Sequence, residues 1–269
     1  KHKNYKENFS LESMYKRGQT SIFIIVAVVI FVMAVLVYFF YPGLSGVIGG
    51  DVPINAKIKS CVEPSLKSGV ELLKKQGGYA NPEGFIVYQG DKIKYLCYSS
   101  EYYLPCKVQQ PLIKRHFEEE LNQIIKADVE NCFSEIKKEY ERNGYDVSAS
   151  DSIQTDVEIV PREIRVKIDA PITLTKDSTQ TFSSLEFETP SELYDVLLIS
   201  SSIIDFESTY GNTETTLYTQ NYPNIQIEKM KLGDGSTIYD VKNVVSGDDF
   251  RFASRSLAWP GGYGYEAPK

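Results

Sequence analysis

Residues 22–40, "IFIIVAVVIFVMAVLVYFF", form an unbroken apolar run, and no charge falls between Arg17 and Asp51. A helix over residues 19–41 would be about 34 Å long at roughly 1.5 Å per residue, enough to cross a bilayer. The run has no polar face, so the same helix inside a water-soluble domain would need protein on every side. The pattern predicts one transmembrane helix over 19–41 that contacts the lipid bilayer. A secretory signal has a shorter apolar stretch followed by small residues. Here Tyr38, Tyr41, Pro42 and Gly43 follow, which suits a membrane interface and a helix end.

The flanks orient the chain. Lys1, Lys3, Lys6, Lys16 and Arg17 outweigh Glu7 and Glu12 ahead of the run, whereas everything after Asp51 is acidic in balance within a net charge of −7. The positive-inside bias assigns residues 1–18, a basic tail, to the cytoplasm and residues 42–269 to the extracytoplasmic side of the cell membrane. An acidic outer part repels phosphate, so no nucleic-acid partner is expected.

All four cysteines, Cys61, Cys97, Cys106 and Cys132, lie in that outer part. An even count in a non-reducing compartment reads as two disulfides, and three pairings are possible. Cys97 with Cys106 across a short loop, and Cys61 with Cys132 between two helices, is the preferred arrangement. No Cys-x-x-Cys spacing accompanies the cysteines and His116 is the sole outer histidine, which argues against a zinc site.

Along the outer part, "PGLSGVIGGDVP" at 42–53 reads as a Gly/Pro linker. Apolar spacing predicts a helix through Ile54, Ile58, Val62, Leu66, Val70 and Leu73, stopped at Gly77-Gly78 and broken or kinked at Pro64. A hairpin about Gln89-Gly90-Asp91 follows, and then a long helix over about 109–142. From residue 152 the period changes to two: a strand pair turns at Pro161-Arg162, a helix begins near Pro190 and stops at Gly211, a hairpin turns at Gly233-Asp234-Gly235, and "DFRFASRSL" makes a last strand. The expected class is α+β: a transmembrane helix, a helix-rich disulfide-stapled subdomain over 54–150, and a strand-rich α+β subdomain of antiparallel sheet over 151–269.

Chemistry is sparse. There is no phosphate loop, H-E-x-x-H or G-x-S-x-G pattern, and His116 in "LIKRHFEEE" is expected on a solvated helix face. The acidic runs Glu118–Glu120 and Asp248-Asp249 read as surface, and Asp234 with Asp240 fits an Asp-Gly turn better than a calcium loop. No catalytic residue, cofactor or metal is expected, and the chain reads as a non-enzyme. Tyrosine stands out, with 19 residues against a single tryptophan. Tyr95, Tyr98, Tyr102 and Tyr103 cluster around Cys97–Cys106 as a candidate contact surface, since tyrosine with serine and glycine gives contact area at small rotamer cost. The outer part carries no Asn-x-Ser/Thr sequon.

"KRGQTSIFIIV" resembles the class III signal peptide of archaeal type IV prepilins: a basic pair, Gly18, Gln19 and an apolar helix. The resemblance implies cleavage between Gly18 and Gln19 and a packing helix over Ile22–Phe40. More broadly, the chain is similar to uncharacterised single-span surface proteins of small symbiotic archaea, in this stretch and in the helices carrying Cys61 and Cys132. The resulting expectation is a non-catalytic, single-pass, cell-surface protein. Its outer head would serve envelope structure, adhesion or binding of a protein partner. The alternative is a pilin-like filament subunit that self-associates.

Overall fold

A computed structural model describes residues 24–33, 53–150 and 152–260. The chain separates into two compact units, 1–53 and 54–269. In the first, helix α1 spans 24–33 and every residue in it is exposed. Among the described residues no helix is long and apolar enough to cross a membrane, which corrects the expected spanning helix over 19–41. The expected processing pair, Gly18 and Gln19, lies outside the described residues, as does the linker up to residue 52.

The second unit begins with α2 (Ile54–Lys75), β1 (Phe85–Tyr88), β2 (Asp91–Tyr98), β3 (Lys107–Val108) and α3 (Ile113–Arg142). Next come β4 (Asp146–Ala149), β5 (Gln154–Val160), β6 (Glu163–Asp169), β7 (Ile172–Thr175), β8 (Thr179–Phe182) and β9 (Leu185–Pro190). It closes with α4 (Leu193–Tyr210), α5 (Thr216–Asn221), β10 (Ile225–Lys231), β11 (Ser236–Asn243) and β12 (Asp249–Arg255). The class is α+β with antiparallel sheets, as the sequence periodicity implies.

Helix α2 buries Ile54, Ile58, Val62, Leu66, Gly69 and Leu73 on one stripe, the spacing that places residues on a single helical face. It packs against α3 closely enough that a Cβ on Gly69 would meet Leu121 Cδ2 at 3.1 Å. Contrary to expectation, α2 runs unbroken through Pro64. Pro64 sits on the exposed side, where water can take the carbonyl that loses its helical partner. Cys61 bonds Cys132 of α3, with Cα atoms 6.1 Å apart, and Cys97 bonds Cys106. Cys132 is buried whereas Cys61 is exposed, so the first bridge closes the rim of the helix pair rather than its centre.

The strands form a six-stranded sheet ordered β1-β2-β12-β11-β10 with β3 beside β2, and two three-stranded sheets, β4-β7-β8 and β5-β6-β9. All pairs are antiparallel except β2 with β12. Helix side chains close both edges of the β5-β6-β9 sheet. On β5, Ile159 donates its N–H to Glu118 Oε1 at 2.7 Å and accepts from Lys114 Nζ at 3.2 Å. On β9, the Glu188 carbonyl accepts from Lys59 Nζ at 2.7 Å. Such cover stops an open edge from templating another strand. One core cluster extends from Ile54 to Phe252 and draws on residues from both sides of position 150.

The Cys61–Cys132 bridge spans 71 residues, and closing a loop of that size should constrain the unfolded chain by about 4 kcal/mol. The C61S/C132S variant should therefore show an earlier urea midpoint by that free energy, with the fold retained. An unchanged midpoint would mean that the bridge contributes no such constraint.

Candidate functional site

The predicted tyrosines sit on and after β2. Tyr95 is half-buried on the strand, and its ring meets that of Tyr98 edge-on at 5.0 Å. The Ser236 hydroxyl donates to Asp234 Oδ2 at 2.9 Å, so the Tyr95 hydroxyl donates to Ser236 Oγ at 2.8 Å. Burial raises the Tyr95 phenol above its ordinary range. Tyr95 thus braces the site from beneath. Tyr98, Tyr102 and Tyr103 are 38%, 47% and 49% exposed. They are joined by Leu104 and by Trp259, which is 59% exposed and stands edge-on to Tyr103 at 5.0 Å. The lone tryptophan is the part of the site that sequence reading missed, because it is far from the tyrosines in the chain and arrives only through the sheet.

Residues 99–106 are stitched to the segment after β12. Ser99 and Tyr103 donate their N–H groups to the carbonyls of Arg255 and Ala258 at 3.0 Å each, and Leu257 donates to Leu104 at 2.9 Å. Cys106 donates its N–H to Ser256 Oγ at 2.9 Å, and Ser256 donates to the Glu207 carbonyl at 2.9 Å. The Arg255 guanidinium lies 5.3 Å over the Tyr102 ring, donates from Nη1 to the Ser99 carbonyl, and donates from Nε to Asp234 O at 3.2 Å. A cation so placed is attracted to the ring face. The rings therefore present a preordered surface.

Tyr103 and Leu257 face each other through that stitching, and both hold positive φ, +63° and +46°. For residues with a Cβ this backbone region costs roughly 1–2 kcal/mol. The segment carrying Leu257 also fits only because Gly211 ends α4 in the left-handed conformation and has no side chain where Leu257 lies.

The other candidate residues are tied into the scaffold. Within the acidic runs, Glu118 caps β5, Glu119 pairs with Arg115, Glu120 accepts the Ala80 N–H at 3.0 Å, Asp248 accepts the Glu192 N–H, and Asp249 pairs with Lys74 at 2.6 Å. Asp234 holds the turn at Ser236, and Asp240 takes Arg251 Nη2 at 2.7 Å. His116 is not on a solvated face: its ring packs 4.0 Å from Tyr79, and its Nε2 is buried 3.9 Å from Glu120 Oε1. No protein-family model, curated protein or solved structure matches the chain.

Burial against Tyr79 pushes the His116 imidazole below its ordinary range, more strongly than Glu120 and Glu119 pull it up, with Lys94 adding to the burial effect. The unfolded chain then holds the proton more tightly. The contribution to stability is complete above the unfolded value, near about 6.5, and is lost as pH falls through the folded value. The difference in stability between wild type and H116Q, followed by urea denaturation, should shrink as pH drops from about 7 to about 5. A difference that stays constant across that window would refute the assignment.

Proposed function

We propose that residues 54–260 are the non-catalytic outer head of a cell-surface protein, and that the head binds a protein partner through Tyr98, Tyr102, Tyr103, Leu104 and Trp259. The observation that carries this reading is the preordered aromatic cluster itself. Large exposed rings are otherwise scattered over a protein surface, whereas Tyr102, Tyr103 and Trp259 adjoin one another in a row, and a braced set of this kind marks a contact site. Rings held by Arg255, by the Cys97–Cys106 bridge and by strained backbone lose little further freedom on binding.

Two disulfides support a working place outside the reducing cytoplasm. The non-catalytic reading rests on what the polar side chains are doing. The acidic runs are occupied in holding elements together, and His116 is packed against Tyr79.

The Y102S/W259S double variant should keep the fold, since both side chains are exposed, and should lose at least about tenfold in affinity for native cell envelopes, as removal of central aromatic anchors does. Y210S removes an exposed tyrosine elsewhere, on α4, and should bind like wild type. Equal binding by all three proteins would sink the proposal.

A further inference from the structure

Behind the tyrosine loop, the turn after α4 brings together an amine, a carboxamide and a buried carboxylate. Lys229 on β10 donates from Nζ to Asn212 Oδ1 at 2.8 Å and to the Thr213 carbonyl at 2.6 Å. Its side chain is only 16% exposed, and the Tyr239 ring lies 5.4 Å from Nζ. Glu207, 3% exposed, places Oε1 at 4.0 Å from the same nitrogen. Burial makes the ammonium form of Lys229 less favourable, with Lys231 adding to the effect while Glu207 and Glu214 oppose it. A lysine so placed is a stronger nucleophile than one in water, because more of it is the free amine.

We propose that Lys229 and Asn212 join in an intramolecular isopeptide bond, with Glu207 carrying the proton. The Glu207 carboxylate takes one proton from the Lys229 ammonium. The free amine attacks Cγ of Asn212, so that the Nζ–Cγ bond forms and the Cγ–Nδ2 bond breaks. Nδ2 receives one proton from Nζ and one from Glu207 and leaves as ammonium, and Glu207 returns to the carboxylate. The product is one new amide and one ammonium ion, and no oxidant or co-reactant is needed. Nζ lies 2.8 Å from Asn212 Oδ1, the oxygen on the carbon to be attacked, and 4.0 Å from Glu207 Oε1, so the Lys229 side chain must shift for proton transfer and attack to proceed. Asn212 lies at the surface, which gives the departing ammonium a direct way into water. The bond would close a ring between positions 17 residues apart and tie the turn after α4 to the edge strand β10.

The test is the intact mass of the purified full chain, folded, held for several days at room temperature and then reduced. The expected mass is one ammonia below that calculated from the sequence. Trypsin should fail to cut after Lys229, because acylation removes the charge it recognises, and the fragment 177–231 should carry the loss. N212A changes an exposed residue and should fold, keep the full calculated mass and be cut at Lys229. K229R should do the same while keeping a donor toward Asn212, so the reading does not depend on whether E207Q folds. A full-mass wild type cut at Lys229 would overturn the proposal. So would an ammonia loss that maps to Asn143-Gly144, where ring closure by the backbone releases ammonia without Lys229.

Discussion

Strand β12 pairs in parallel with β2, setting Ser254 opposite Cys97 and Arg255 opposite Tyr98. A parallel pair cannot be made by a tight turn and needs a long connection. Here that connection is most of the domain: α3, the two smaller sheets, α4 and the β10–β11 hairpin all lie between. The pairing brings Ser256 under the Cys106 amide, Arg255 over the Tyr102 ring and Trp259 beside Tyr103. The Cys97–Cys106 bridge fixes the loop to its own strand, but the shape of the exposed face depends on the register with β12. A slip by one residue would turn Arg255 to the opposite face of the sheet and leave the tyrosines unbraced.

Beneath that register lies Glu207, near the carboxyl end of α4, where a negative charge opposes the helix dipole. It is buried, so its cost must be met by partners. Tyr239 donates to Oε1 at 2.5 Å, the Thr213 amide to Oε1 at 2.7 Å and Ser254 to Oε2 at 3.1 Å. The same Ser254 hydroxyl lies 3.7 Å from Cys106 Sγ. Burial and the neighbouring carboxylate push the Tyr239 phenol far above its ordinary range, so it stays a donor. The network thus joins α4, β11, β12 and the tyrosine loop, and a fully satisfied buried network of this kind holds its elements in one arrangement.

Much of the fold could be read along the chain because it rests on local rules. The stripe Ile54–Ile58–Val62–Leu66–Leu73, the alternation from Gln154 to Asp169, and the stops at Gly77-Gly78 and Gly211 each depend on near neighbours. The turn at Pro161-Arg162 does too, with Arg162 at positive φ. Short elements were not legible. Strands β3, β4 and β8 have two or four residues each, too few to show a period, and they exist because a neighbouring strand offers its backbone. The apolar run over residues 22–40 reads as a spanning helix, whereas among the described residues no helix is long and apolar enough to cross a membrane.

The candidate site divides along the same line. That Tyr95, Tyr98, Tyr102 and Tyr103 stand together is a property of the sequence, for they are neighbours within nine residues around the Cys97–Cys106 pair. That Tyr95 turns inward as a brace, that Trp259 completes the face, and that His116 is packed against Tyr79 follow from tertiary structure alone. Spacing in sequence places side chains on a face of one helix or strand, but which faces meet is settled by packing over distances that the periodicity of a single element does not encode.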